Sequence, residues 1–546
     1  WPKHPSGNGD HPLIPLIRNV PNPLQAVCDA AWSTGVLASA GLLRPYWPNQ
    51  ALAMASAIRK YGVSPAVGFA LGAARAPDRA AVIDESGPLT YAEMEARTNA
   101  LAASLTMLGF TDTSRVGLLC RNHRGFVEAT FALAVLGCDA LYLNTGFAAP
   151  QLADVMAREG ATAIILDEDF LPLAGELDPG IPRVVASTID ELIKSAARAN
   201  PPRPTSPGRQ IILTSGTTGI PKGAQRDRPT SLTPLVAFLS KIPYRAGDVT
   251  YIAAPMFHSW GLGNAAINVA LANTLVLRRR FDPEATLKLI DEQRVTALVA
   301  VPVMIQRIMA LPESVRRRYD TSSLRVVALS GSALPGELAT RFMDEFGDVI
   351  YNLYGSTEVA FASIATPADL RAAPGTAGRP PRGTQVRLLD AEGKPVPDGQ
   401  PGRIFVGNTA LFEGYTGGGG KQVVEGLMAT GDTGHFDDEG RLFVDGRDDD
   451  MIVSGGENVF PREVEHLLME HPAVADAAVV GVPDEEFGQR LRAYVVLRTS
   501  DAATPRELQD YVQAHLARYK VPREVIFLPE LPRNPTGKVV TRDLPS

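Results

Sequence analysis

ILTSGTTGIPKG, residues 212–223, begins as an apolar strand and empties into a turn in which Ser, Thr and Gly alternate, closed by Pro221, Lys222 and Gly223. Glycines such as Gly216 and Gly219 let main-chain N–H groups approach phosphate oxygens closely. The hydroxyls of Thr214, Ser215, Thr217 and Thr218 add donors, and Lys222 adds a positive charge. That composition suits a triphosphate. It is not the loop of the P-loop NTPases, which needs Ser or Thr directly after Gly-Lys, whereas Gly223 follows Lys222 here. The plain alternative is a flexible surface turn; the apolar strand before the loop and the lysine locked behind a proline weigh against it.

The whole chain bounds the protein class. Its 546 residues exceed what one core accommodates, so at least two domains are expected. Hydrophobic residues at 45% and charged residues at 21% are ordinary for a globular protein, and a net charge of -7 disfavours nucleic acid as the main partner. Cys28, Cys120 and Cys138 show neither paired spacing nor a Cys-x-x-Cys motif, which fits a reducing, cytoplasmic setting without structural disulfides or a zinc site. All three read as buried small hydrophobes.

The chain opens at Trp1, and its first residues, WPKHPSGNGD, are polar and Pro-rich, unlike a signal peptide; targeting upstream stays open. Residues 30–43 are apolar but shorter than the roughly 18 residues of a spanning helix, and Asp29 and Arg44 bracket them. Trp32, Tyr46 and Trp47 lie at the edges of this stretch, and Arg59, Lys60 and Tyr61 close the next apolar one. Residues 26–62 therefore suit either a peripheral contact at the inner face of a membrane or helices packed on the main body.

From residue 64 the pattern alternates α and β. Thr90 caps a predicted helix over 91–108, residues 115–120 read as a buried strand, and 126–136 as the next helix. Alternation of this kind implies a parallel sheet covered by helices. NPPRPTSPG, 200–208, reads as an external connector; β-rich runs follow at 249–254, 297–301 and 324–329 and are expected to be central strands. The four glycines 417–420 read as a mobile surface loop, because no strand is expected before them and Lys421 lacks the neighbours of a phosphate loop. At 445–452, DGRDDDMI, acidic residues crowd a short link, beyond which a small α+β domain is predicted, with helices at 462–469 and 505–516 and strands at 474–480 and 492–497. The predicted layout is a leader over 1–63, a large domain over 64–448 and a small one over 449–546.

Five more segments complete a pattern: PMFHSWG at 255–261, SGSALP at 330–335, YNLYGSTE at 351–358, TGDTGHFDDEGRLFVDGRDDDMI at 430–452 and PRNPTGKV at 532–539. With the phosphate loop, they resemble the adenylate-forming superfamily of acyl-CoA synthetases, adenylation domains and luciferases. The resemblance covers nearly everything after residue 64, and GENVFPREVE is most similar to the fatty acyl and aryl CoA ligase branch. It implies an α/β fold: a large N-terminal domain of parallel-rich sheets covered by helices, plus a small mobile α+β C-terminal domain. It also implies ATP and CoA as co-substrates with Mg2+, and a reaction in which a carboxylate attacks the α-phosphate of ATP before the thiol of CoA displaces AMP.

By the same resemblance Lys538 neutralises charge at the α-phosphate, Thr357 binds that phosphate, and Glu358 holds Mg2+ together with Thr218. Tyr354 offers adenine an aromatic face, with Gly331, Ser332 and Ala333 along the other edge of the base. Asn352, Gly355 and Ser356 complete the nucleotide site. Asp432 accepts the ribose hydroxyls, and Arg447 holds the ribose or phosphate. His258 stands beside the reacting carboxylate, although a lone histidine after an apolar strand is commonly a core group. Asp449 is the implied hinge, Gly455 and Gly456 line a pantetheine tunnel, and Lys520 and Arg523 are candidates for the CoA phosphates, against the plain reading of solvated surface charges.

The implied acyl pocket, Trp260, Gly261, Leu262, Gly263, Val301, Val303, Met304 and 360–362 with Ala360 at its head, is uncharged and rich in small residues, which favours a medium or long fatty acid and leaves an aryl acid open. No acid stands near PMFHSWG to hold an amino-acid ammonium, which argues against an amino-acid-activating domain. A ligase that loads a carrier protein, and a binding protein that has lost the chemistry, are further alternatives; Lys222, Glu358, Asp432 and Lys538 together speak against the last.

Overall fold

Thr90 ends an extended segment and accepts a hydrogen bond from the Glu93 N–H, while Glu93 Oε2 accepts from the Thr90 N–H at 2.7 Å. This reciprocal cap starts the helix Tyr91–Met107, which turns its buried face, Met94, Leu101 and Leu105, to the core. The computed structural model describes residues 23–62, 65–197, 199–215, 221–225, 231–447, 452–454, 457–484, 488–499, 502–516, 520–535 and 537–545. Both expected domain boundaries, 63/64 and 448/449, lie outside them.

Runs of Val, Ile, Leu and Ala buried on both faces become the inner strands of two sheets. In the first, Val249–Ile252, Ala297–Ala300, Val326–Leu329 and Ile350–Tyr354 run parallel as neighbours, with Leu298, Val299 and Val326 fully buried. The runs expected at 249–254, 297–301 and 324–329 are therefore inner strands, each a residue or two shorter than predicted. In the second sheet Asp139–Tyr142, Arg115–Leu119 and Ala163–Leu166 are parallel, and Gln210–Ser215 joins Asp139–Tyr142. Helices cover both sheets, among them Arg124–Leu136, whose Phe126 and Leu133 are buried. A third, antiparallel sheet contains Gly402–Gly407, Leu427–Phe436 and Leu442–Arg447.

The C-terminal segment has its own core. The strands Val474–Asp484 and Gly488–Leu497 pair antiparallel and pack on the helices Pro461–Glu470 and Pro505–His515 through Val464, Leu468, Val495 and Leu508. The result is a large α/β body with parallel-rich sheets and a smaller α+β unit.

Several expectations change. Pro221–Gln225 is a strand returning antiparallel to Gln210–Ser215, so Pro221, Lys222 and Gly223 belong to a hairpin arm and not to the turn. The strand Gly414–Tyr415 does precede the glycine run, and it adds to that arm. Cys28 is exposed, because its helix Pro23–Ser39 contacts the body along one side only; Cys120 and Cys138 are buried as expected. The leader does rest on the body: Arg382 pairs with Asp29 and stacks over Trp32 at 4.8 Å, and Ala57 is buried. Its outer face leaves Trp47 75% and Leu52 72% exposed. No helix among the described residues is long and apolar enough to cross a membrane.

Candidate active site

Segments leaving the carboxyl ends of the four parallel strands Val249–Ile252, Ala297–Ala300, Val326–Leu329 and Ile350–Tyr354 bring Ala254, Pro255 and Phe257 to Trp260, Val301 to Val303, Ser330 to Pro335 and Gly355 to Glu358 to one cleft of about 1200 Å3. Open α/β sheets bind ligands at this end because the chain leaves the sheet there and side chains converge. Gly331 takes a φ of 96°, a left-handed turn that lets the 330–333 backbone edge the cleft.

One wall is built by strand register. Asp432 and Arg447 are direct cross-strand partners in the pairing of Leu427–Phe436 with Leu442–Arg447. Tyr354 donates its hydroxyl proton to Asp432 Oδ2 at 2.6 Å and also contacts Thr430 Oγ1 at 3.2 Å. Burial, reinforced by the Asp432 charge, pushes the Tyr354 phenol well above its usual pKa, so it stays a neutral donor. Gly431 leaves the neighbouring space to two cations: a Cβ there would lie 3.6 Å from both Arg447 and Lys421 Nζ.

A second wall is the hairpin of the opening motif. Thr214 faces Lys222 across it and donates to the Lys222 carbonyl at 3.3 Å. Lys222 Nζ lies 5.5 Å from the centre of the Tyr415 ring, and the Tyr415 hydroxyl donates to Glu358 Oε1 at 2.9 Å. Glu358 is a carboxylate 8% exposed inside a polar cleft, a hard oxygen donor of the kind Mg2+ takes. Gly216, Thr217, Thr218 and Gly219 lie outside the described residues, and Ser215 is placed only as the end of its strand.

Lys538 enters from the C-terminal unit on a tight turn. The Gly537 N–H donates to the Asn534 carbonyl at 2.8 Å, and the Lys538 N–H to Asn534 Oδ1 at 3.0 Å. The lysine lines the cleft with Asp432, Arg447 and Glu358. Protein crowds it, yet by surface area it is exposed. Crowding first, then the Arg447 and Arg462 charges, lowers its pKa, while Asp432 and Glu358 oppose the change. The open side governs, because water entering the cleft still solvates the ammonium.

Two polar atoms in the cleft wall are buried without a hydrogen-bond partner, His258 Nε2 and Asn352 Oδ1. Burial, and then the Lys538 charge, pushes the His258 pKa down to about 3. Such orphans are uncommon unless a ligand or water completes them.

The apolar end of the cleft holds Trp260, Gly263, Val301, Val303, Ala360 and Phe361, joined by Leu235, Phe238 and Ile267. Ala360 has a φ of 61°, which costs a non-glycine residue about 1–2 kcal/mol. Asn408 Nδ2 holds it there by donating to the carbonyls of Val359 and Phe361 at 2.9 and 3.0 Å. Gly261, Leu262, Met304 and Ala362 do not line the cleft. Gly261 is small because its helix lies on the 254–255 backbone, where a Cβ would meet the Pro255 carbonyl oxygen at 2.4 Å; the other three are core residues.

Thr357, Gly355 and Ser356 line the cleft, and so do Ser332 and Ala333. Lys520 and Arg523, the candidates for the CoA phosphates, lie outside this cleft, and Lys520 Nζ is bound to Glu463 Oε2 at 2.6 Å. Asp449, Gly455 and Gly456 lie outside the described residues. Gly420 and Lys421, read as a surface loop, instead reach the cleft because Gly414–Tyr415 anchors them to the hairpin. Sequence reading also passed over Tyr415, Gln306, Arg462 and His466. Tyr415 alone carried even a weak signal, an aromatic residue two positions before the glycine run.

Residues 69–416 match the family model described as AMP-binding enzyme, and residues 463–538 match the AMP-binding enzyme C-terminal domain. The chain is 34% identical to a feruloyl-CoA synthase of Amycolatopsis sp over 85% of its length and 95% of that protein's. It is 30% identical to a fatty acid–acyl-carrier-protein ligase of Streptomyces coeruleorubidus over 86% and 93%. Its fold is similar to that of the O-succinylbenzoate coenzyme A synthetase of Bacillus subtilis solved in complex with ATP and magnesium ion, with a TM-score of 0.76, 29% identity and coverage of 87% and 98%.

Proposed function

The chain belongs to the AMP-binding enzyme family, and from that premise we propose an AMP-forming acid–thiol ligase that converts a hydrophobic carboxylic acid and ATP to acyl-adenylate and pyrophosphate, then passes the acyl group to CoA with release of AMP. The observation that carries this reading is the convergence of Lys538 from the C-terminal unit on Asp432, Arg447 and Glu358 of the large body in one cleft. Residues 64–448 form the large domain and 449–546 the small mobile one.

In the first step the carboxylate oxygen attacks the α-phosphorus and the bond to the β-phosphate bridge oxygen breaks. Two anions meet, so the Lys538 ammonium and the Thr357 hydroxyl stabilise the charge gathering on the α-phosphate. His258, neutral because of its burial, offers Nε2 as a donor to the acid without adding charge. Lys222 and the glycine hairpin take the pyrophosphate end, Asp432 the ribose hydroxyls through its oxygen not bound to Tyr354, and Asn352 the adenine edge. Glu358 is the residue that would hold Mg2+, which would supply positive charge to offset the negative charge of the phosphates. In the second step the CoA sulfur attacks the acyl carbon and AMP leaves, with Asp449 as the hinge that withdraws Lys538.

For the acid, Gly263, Val301, Val303 and Ala360 favour an extended alkyl chain, while Phe238 and Trp260, 6.3 Å apart and tilted by 54°, favour an aromatic ring. We favour the medium or long fatty acid. Incubating the enzyme with ATP, Mg2+, CoA and a panel of alkyl and aryl acids decides it: AMP and thioester in equal amounts with medium or long alkyl acids are expected. Turnover confined to aryl acids would select the second reading, and product only with a holo carrier protein would overturn CoA as acceptor.

A further inference from the structure

We propose that Gln306 is a positioning residue for acyl-adenylate formation, a strut that docks the Lys538-bearing unit on the helix walling the acyl end of the cleft. The inference rests on the ligase reading above. That helix, Pro302–Met309, buries Pro302, Met304, Ile305 and Ile308 in the body and so is a rigid platform. Val303 and Gln306, three residues apart, share its other face and line the cleft.

Gln306 Nε2 donates to the Ala475 carbonyl at 2.9 Å. Ala475 lies at a bulge in Val474–Asp484: the pairing runs from Val474 opposite Leu497 to Asp476 opposite Val496, and Ala475 has no partner in that register. A bulge of this kind releases a carbonyl from the ladder and aims it elsewhere. The next residue, Asp476, takes both carboxylate bonds from Arg533 Nη2, at 2.9 and 2.7 Å. Arg533 Nη1 donates to the carbonyl of Gly537, the residue before Lys538. The path closes on the same helix, because Gly537, with a φ of 83°, leaves space that a Cβ would lose at 2.6 Å from Val303. Gln306 and Val303 thus hold the lysine turn at two points, one through Asp476 and Arg533 and one directly.

The strut exists only while Lys538 is in the cleft, so its removal should slow the first half-reaction and spare the second. Gln306→Glu keeps the shape and loses the donor. We expect acid-dependent exchange of pyrophosphate into ATP to fall roughly 3- to 10-fold, the scale of one hydrogen bond, while thioester formation from preformed acyl-AMP and CoA is unchanged. Gln306→Lys, which restores a donor, should recover most of the exchange rate. Combining Gln306→Glu with Asp476→Asn should add little to the larger single loss, since both break one path. Equal loss in both half-reactions, an unchanged exchange rate, or full multiplication of the two losses would each overturn the strut. Absence of exchange in the unsubstituted enzyme with every acid would overturn the ligase reading itself.

Discussion

His258 carries a proton-binding atom that the fold has left without a partner, and this makes its titration visible in stability. The unfolded imidazole takes its proton near pH 6.5 and the folded one only near pH 3, because burial penalises the cation and Lys538 adds to the penalty. Between those values the unfolded state binds more protons, so stability is lost as pH falls through that window. His258→Asn should therefore flatten the decline of Tm between about pH 6 and pH 4, read by thermal melts across that range; parallel curves for both proteins would refute the buried neutral imidazole. The same burial keeps activity free of a His258 limb at neutral pH. Residues of this kind were legible from short motifs, since Lys222, Glu358, Asp432 and Lys538 each lie in a distinctive local run. Tyr415 was not, because its partner Glu358 is 57 residues away in the chain.

The helix Ser259–Ala270 separates two glycines that a linear reading had grouped together. A Cβ at Gly261 meets backbone, whereas nothing lies within 4 Å of one at Gly263, which faces the cleft. Gly261→Ala should destabilise the protein by about 1–3 kcal/mol through overpacking, seen as a lower midpoint in urea. Gly263→Ala should hold or slightly raise that midpoint, since alanine favours the helix, and shift acid preference toward smaller substrates in competition assays. If both variants behave alike, the helix does not lie as described. Helical periodicity announces that a face is apolar; it does not say whether that face meets a core, another backbone or a cavity.

At the scale of the molecule, the cleft is assembled from two units that meet at the lysine turn. Lys538→Ala should lower pyrophosphate exchange by about 100- to 1000-fold, the loss typical of one charge-stabilising contact, while CoA transfer from preformed acyl-AMP persists. Rapid-quench assays of each half-reaction measure this directly, and matched losses in both would contradict a lysine that acts in the first step and withdraws for the second.

Alternating apolar and helical runs were enough to forecast an α/β body and a small C-terminal unit, and the family resemblance of short motifs named polar residues that the fold gathers in one cleft, because those signals are local and survive in a linear string. Cross-strand and cross-unit partners required the folded chain. Gln306 and Ala475 are 169 residues apart, and whether Gly261 or Gly263 borders empty space depends on which neighbour the fold brings within a few ångströms. Contact between distant segments follows from the packing of whole layers, and no neighbouring residue in the sequence encodes it.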